Sequence, residues 1–361
     1  MCGIIAGIYE NIYPILLEGL IQLQNRGYDS AGICTIVNNN FEIIKKSSNS
    51  NETAIDYLKK SHLNGNIGIG HTRWATHGAI NDINSHPHIS NCNKFVLVHN
   101  GIIENYKELK KLLEENNYVM KSQTDTEIIV NLLSYFYKET KNIELSIENT
   151  INKLEGTWGL VIMNKESPDV LYVTRNGSPI LIGSDDKNVI ITSEQSGFCN
   201  KMNNYFTLNN NDICIIKYNK ELNIHTKDTY VLNKVLYNKN QFTPEPYEHW
   251  MIKEIYEQEI SCLRAIKLGS RLLKNNKVCL GGLQEKIKEL EDINNIILLG
   301  CGTSYNAGNF AIHFFKDLCK FNSVQNIDGA DFNILDVPKK GRTCLIFLSQ
   351  SGETKDLHRC I

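Results

Sequence analysis

The residues that could do chemistry begin at the N-terminus, with Met1-Cys2-Gly3-Ile4. Loss of the initiator methionine would put a thiol and a free α-amine on one residue. Unperturbed pKa values of ~8.5 and ~7.7–8.0 let such a pair exchange a proton near neutral pH, and a terminal amine can activate its own residue's nucleophile. Thiolate attack on an amide carbonyl makes an oxyanion, which needs donors already in place. Asn100 and Gly101 supply a carboxamide and a backbone N–H directly after the apolar run Phe95-Val96-Leu97-Val98 and His99. A substrate with an α-carboxylate and an α-ammonium needs one fixed cation and one fixed anion. Arg73, followed by the aromatic Trp74, can grip a carboxylate with two parallel hydrogen bonds, and Asp125 stands at a predicted helix start.

Each feature alone has a plainer reading. Cys2 could be a small buried residue opening a strand, Asn100-Gly101 a β-turn, Arg73 a surface cation and Asp125 a helix N-terminal acid. Their combination argues for amide chemistry. A second group lies far downstream, in Gly300-Cys301-Gly302-Thr303-Ser304-Tyr305 and Ser349-Gln350-Ser351-Gly352-Glu353-Thr354. Both follow apolar runs and precede helical patterns, so their hydroxyls and N–H groups suit a monoester phosphate. A dinucleotide fingerprint would want Gly or Ala where Tyr305 stands, and no Walker lysine follows either loop.

The elements that must hold these residues divide near 236–248. Before that point, short apolar runs such as Leu160-Val161-Ile162-Met163, Val189-Ile190-Ile191 and Ile213-Cys214-Ile215-Ile216 alternate with Gly, Asn and Asp turns, which predicts strands. Helices are predicted at about Tyr13–Gln24, Tyr106–Asn116 and Thr124–Tyr137. Gln241-Phe242-Thr243-Pro244-Glu245-Pro246 reads as a linker. Beyond it, helices at about Trp250–Leu273, Leu283–Leu290 and Ser304–Cys319 alternate with strands at Ile296–Leu299 and Cys344–Leu348, as in a parallel, doubly wound sheet.

Composition narrows the class. The 361 residues carry 42% hydrophobic content and a net charge of −2, which suits a protein of two or three domains with real cores and no nucleic-acid partner. The N-terminal segment has neither a charged n-region nor a long apolar stretch, so no signal peptide or membrane partner is expected. Eleven cysteines are scattered without a Cys-x-x-Cys pair, which favours reduced thiols, a cytoplasmic setting and no metal site.

Cys2-Gly3-Ile4, Asn25-Arg26-Gly27-Tyr28-Asp29-Ser30, the His71–Gly78 run, Ser85-His86-Pro87-His88, His99-Asn100-Gly101 and Ser122–Glu127 occur in this order. Together they resemble the class II, N-terminal-nucleophile glutaminase domain. The resemblance implies an α+β, αββα fold over 2–236. It implies Cys2 as nucleophile and base, and Asn100 and Gly101 as the oxyanion hole. Arg73 would hold the carboxylate of glutamine and Asp125 its ammonium, while Arg26, Gly27, Trp74, Thr76, His77 and His86 would line or cover the site. No cofactor is implied.

After a linker at 237–248, residues 249–361 resemble the first sugar isomerase (SIS) domain, an α/β doubly wound parallel sheet. Here Thr303, Ser304, Ser349, Gln350, Ser351 and Thr354 would hold the phosphate. Neither a Ser-Gly-Gly-x-Asp-Ser pyrophosphatase loop nor a phosphoribosyl-pyrophosphate loop is present. The whole chain, with the run His249–Gln258, therefore resembles the hexosamine-pathway amidotransferases. Their reaction makes glucosamine 6-phosphate and glutamate from fructose 6-phosphate and glutamine, and the full-length form is expected to be a homo-oligomer. Glu259 and Asp331-Phe332-Asn333 depart from the family's usual Pro and Glu-Phe-Arg. The SIS part is expected to be truncated, with about three strands, leaving glutaminase activity without amino-sugar formation. A glutaminase-only form and a non-catalytic sugar-phosphate sensor remain as alternatives.

Overall fold

Runs of β-branched residues between Gly and Asn turns become two stacked antiparallel sheets. The computed structural model describes residues 2–24, 27–74, 79–219, 221–235, 247–265, 272–273, 277–278, 283, 286–349 and 354–361. The chain separates into two units, Met1–Thr243 and Pro244–Ile361; most of the predicted linker, 237–246, lies outside the described residues.

In the first unit, one sheet runs in the order Asn233–Lys234, Asn204–Thr207, Leu181–Ser184, Val189–Thr192, Gly3–Ile8, Ile67–Arg73, Ser30–Val37, Asn40–Ser47. The other runs Glu221–His225, Ile213–Asn219, Ser167–Asn176, Gly156–Asn164, Phe95–Ile103, His88–Ile89. Side chains alternate across each strand, so each sheet has two faces to cover. The inner faces meet in one core, where Ile4, Ala6, Cys34 and Ile69 pack with Val96, Val98, Val161 and Val173. On one outer face, Ile12–Gln22 and Ala54–Lys59 cover Ile5, Ile33 and Ile190 with Leu16, Leu20 and Leu58. On the other, Tyr106–Glu115, Asp125–Thr140 and Ile143–Ile151 cover Leu97, Leu160 and Ile162 with Leu113, Ile129 and Leu132. The result is an αββα sandwich.

Register places the chemistry at one end of this sandwich. Gly3 pairs with Thr72, so Cys2 and Trp74 fall at the adjacent ends of two central strands. Ser30 pairs with Arg73 on the other side. In the second sheet, Asn100 and Gly101 pair with Gly159 and Trp158. Gly101 has φ 140°, and a Cβ there would lie 2.0 Å from the Thr157 carbonyl oxygen, so only glycine fits.

In the second unit, Ser323–Asp328, Ile293–Gly300 and Arg342–Leu348 form a parallel three-stranded sheet with Ile293–Gly300 in the middle. Two predicted helices are shorter than expected. The helix from Trp250 ends at Ala265, and Leu272–Leu273 instead pairs with Lys277–Val278 as a strand. Gly269-Ser270 lies between the two in sequence, and an apolar pair such as Leu272-Leu273 is too short to show a period. The helix predicted at Leu283–Leu290 spans Ile287–Glu291.

Candidate active site

Cys2 is gripped by the strand beside it. The Trp74 N–H donates to Cys2 Sγ at 3.3 Å, and Sγ lies 3.6 Å from the Trp74 carbonyl oxygen. Burial pushes the Cys2 thiol up, the Trp74 N–H and Arg73 pull it down, and Asp125 pushes it up again. A thiol kept protonated in this way needs a base before it can attack. The strand that carries it is locked at its start, where Ile4 N donates to Ser193 Oγ at 3.0 Å and Ser193 N to Ile4 O at 3.1 Å.

Across the sandwich, Asn100 Nδ2 donates to the Cys2 carbonyl oxygen at 2.9 Å. A carboxamide has two N–H groups, so a second donor remains for a substrate oxygen. A narrow recess of ≈ 20 Å³, room for a water-sized group, is lined by Cys2, Arg73, Trp74, Gly101 and Asp125 together with His86, His99, Thr124 and Thr126. Arg73 is buried at the end of Ile67–Arg73, and its Nη1 faces Ala79 O at 3.5 Å. Asp125 opens the helix Asp125–Thr140; Thr124 caps it by accepting from Glu127 N at 3.3 Å. The helix start is tied further by Lys121 N donating to Glu127 Oε1 at 2.9 Å. Asp125 Oδ2 accepts from Ile103 N at 3.0 Å, which turns the carboxylate toward the Asn100-Gly101 strand. Cation, anion and thiol thus share one recess.

Gly27 lies against the same wall, since a Cβ there would stand 2.6 Å from the Arg73 carbonyl carbon. Tyr28 packs edge-on to Trp74 with centroids 5.2 Å apart. Arg26, Thr76 and His77 lie outside the described residues. Ala79, just after the latter pair, is moored by Gln123: Ala79 N donates to Gln123 Oε1 at 2.9 Å, and Asn84 joins at 3.1 Å.

Behind the recess sits a row of buried histidines. His86 stacks on His71 with centroids 4.0 Å apart and meets His88 edge-on at 4.8 Å. His86 Nε2 and His99 Nδ1 reach Thr126 Oγ1 at 2.8 and 3.1 Å, and His88 Nε2 reaches Thr124 Oγ1 at 3.1 Å. The segment carrying His86 is fixed by Lys45 Nζ, which donates to Ser85 O at 2.7 Å and Pro87 O at 3.2 Å. His86 is therefore a wall of the recess with its Nε2 already engaged. The sequence reading assigned no role to Thr126, Lys45 or Ser193; Thr126 stands beside Asp125, whereas nothing local singles out Lys45 or Ser193.

Burial pushes His71 down to about 3, and drives His86 and His88 well below the ordinary histidine value, with neighbouring cations adding to the effect. These rings are neutral in the folded protein but bind protons when unfolded below ~6.5. Above pH ~6.5 both states are neutral and no dependence arises. Below it, the unfolded state binds more protons, so stability falls by about 1.4 kcal/mol per pH unit for each such histidine. Thermal unfolding should therefore show a Tm that is flat above pH ~7 and falls steadily from pH ~6.5 toward 4. A Tm unchanged between pH 7 and 5 would count against the neutral row.

In the second unit, Thr303 begins the helix Thr303–Leu318 just beyond Ile293–Gly300, and Ser349 follows Arg342–Leu348. The pairing Gly300 to Leu348 puts both loops at the carboxyl edge of adjacent parallel strands. In open parallel sheets that edge is where ligands bind. Ser304 is the second residue of the helix, and Ser349 Oγ lies 3.3 Å from Thr354 Oγ1. Gln350 and Ser351 lie outside the described residues.

The family described as a glutamine amidotransferase domain matches residues 71–200. A probable glutamine–fructose-6-phosphate aminotransferase (isomerizing) of Acanthamoeba polyphaga mimivirus is 39% identical, over 100% of this chain and 60% of the viral protein. The enzymes of that name from Buchnera aphidicola subsp. Baizongia pistaciae and Methanococcus maripaludis are 38% and 37% identical, over 99% and 100% of this chain and 59% and 60% of their own lengths. Among solved structures, a glutamine phosphoribosylpyrophosphate amidotransferase from B. subtilis superposes with a TM-score of 0.56 at 17% identity, covering 100% of this chain and 93% of its own. That likeness is one of fold.

Proposed function

We propose that this chain, 39% and 37% identical to two glutamine–fructose-6-phosphate aminotransferases and spanning about 60% of their lengths, hydrolyses glutamine with the unit Met1–Thr243. In the whole protein, the ammonia released would be transferred to fructose 6-phosphate, giving glucosamine 6-phosphate and glutamate. The observation that carries this reading is the convergence on one recess of the Cys2 thiol, Gly101, Arg73 and Asp125, with the Asn100 amide hydrogen-bonded to the Cys2 carbonyl oxygen.

The chemistry follows from those positions. With Met1 removed, the Cys2 α-amine takes the thiol proton and the thiolate attacks the side-chain amide carbon of glutamine. The carbonyl electron pair moves to oxygen, where the free N–H of Asn100 and the Gly101 N–H stabilise it. The α-ammonium returns its proton to the departing nitrogen, ammonia leaves, and a thioester remains on Cys2. Water, deprotonated by the same amine, attacks the thioester carbon and releases glutamate and the thiol. Arg73 holds the substrate carboxylate bidentately and Asp125 its ammonium, so both act equally in ground and transition states.

In the second unit, Thr303, Ser304, Ser349 and Thr354, with Gln350 and Ser351, would take the sugar phosphate. The helix N-terminus at Thr303 supplies partial positive charge. The reading is tested by assaying glutamate and glucosamine 6-phosphate in parallel. Glutamate should form from glutamine alone, and Arg73→Ala should raise the glutamine KM by about 10²-fold with a smaller change in kcat, the loss of a charged hydrogen-bond pair. Absence of glutamate formation by protein lacking Met1 would overturn the glutaminase assignment. Amino-sugar formation by the protein of the whole gene tests the transfer step.

A further inference from the structure

One ring in the buried histidine row touches the amide assigned to the oxyanion. His71 is fully buried, and its Nε2 lies 2.9 Å from the His99 carbonyl oxygen and 3.1 Å from Asn100 Oδ1. A backbone carbonyl can only accept, so Nε2 must carry the hydrogen. An N–H already directed there cannot face a second donor. Asn100 must therefore turn its oxygen to His71 and its NH₂ the other way, where it meets Cys2 O at 2.9 Å. The opposite amide rotamer would set N–H against N–H beside His71 and a carboxamide oxygen against the Cys2 carbonyl. It would also present an acceptor, not a donor, to the developing oxyanion.

The other ring nitrogen is consistent with this tautomer. His71 Nδ1 is buried with no hydrogen-bond partner among the described residues, the state expected of a bare lone pair left over when Nε2 holds the proton. Stacking on His86 at 4.0 Å holds the plane of the ring.

We propose that His71 is a positioning residue for the glutaminase reaction, whose Nε2–H fixes the Asn100 carboxamide with its donors toward the nucleophile. The assignment rests on the reading of Asn100 as an oxyanion donor. It makes no contact with substrate and moves no proton; it selects one of two amide orientations that are nearly equal in shape.

The test uses glutamate release by the full chain, with kcat and KM separated. His71→Gln places an amide nitrogen near the Nε2 position, whereas His71→Asn and His71→Phe place no donor there. Asparagine and phenylalanine variants should lose kcat by about 10- to 100-fold, less than loss of the amide itself, with KM within about threefold. His71→Gln should regain most of the rate. In an Asn100→Ala background, His71→Asn should cost less than about twofold more, because coupled residues are non-additive.

Wild-type kcat in His71→Asn and His71→Phe would overturn the assignment, and so would multiplicative losses with Asn100→Ala. If neither variant folds, His71 holds the fold rather than the amide and the proposal fails. An Asn100→Ala enzyme with wild-type kcat would instead sink the oxyanion reading on which the proposal rests.

Discussion

Cys2→Ala is expected to abolish glutamine hydrolysis, lowering the rate by about 10⁴-fold or more, the scale on which hydrolases respond to loss of the nucleophile. Among the described residues the covalent step has no substitute in the recess, where the other side chains are the Trp74 indole, imidazoles already hydrogen-bonded, hydroxyls and fixed charges. A glutamine-shaped electrophile such as a diazo ketone should label Cys2 and no other of the eleven cysteines. Selectivity would come from the recess rather than from thiol reactivity, because burial pushes the Cys2 thiol up while Cys92, Cys262 and Cys319 are exposed. Excess glutamine should protect Cys2, and peptide mapping after labelling reads both results. Label spread over the exposed thiols, or hydrolysis surviving in Cys2→Ala, would remove Cys2 from the mechanism.

The second large effect is expected at Asn100. Asn100→Ala should lower kcat by about 10²–10³-fold and leave the glutamine KM nearly unchanged, because its donor matters most when the carbonyl oxygen becomes an anion. Asn100→Asp is the sharper variant. It keeps the volume and still accepts from His71 Nε2, but it points an anion rather than an N–H toward Cys2 O, now 2.9 Å from Nδ2. Its loss of kcat should equal or exceed that of the alanine variant. Steady-state kinetics on both, beside Arg73→Ala, separate the roles: kcat for Asn100, KM for Arg73. The reverse pattern would exchange the two assignments.

Much of this protein was legible in its residues. Strands at Phe95–Val98, Leu160–Met163, Val189–Ile191 and Ile213–Ile216 lie within observed strands, and the helices near Tyr13, Tyr106 and Thr124 begin within one residue of their predicted starts. These are local properties: a strand alternates over two residues, a helix over 3.6, and a capping threonine acts within one turn. The motifs carrying Cys2, Arg73, Asn100 and Asp125 were likewise legible as runs of specific residue types. The extent of Trp250–Ala265 was not, because Leu272–Leu273 became a strand through pairing with Lys277–Val278, and pairing is not written in a short apolar run.

The sequence by itself determined which residues could attack, grip and accept, together with the elements that carry them. Tertiary structure alone decided that they meet. Cys2, one residue before the strand Gly3–Ile8, and Asn100, in the other sheet, are 98 positions apart, and their contact depends on the antiparallel register Gly3 to Thr72 and on two sheets packing face to face. Ser193, 189 residues from Ile4, locks the strand that follows Cys2, and Lys45 fixes the His86 segment from another strand. Which nitrogen of His71 bears the proton, and hence which way Asn100 points, follows from a carbonyl 28 residues away. Sheet order, register and tautomer are set by non-local hydrogen bonds, each specified only when the whole sandwich has closed.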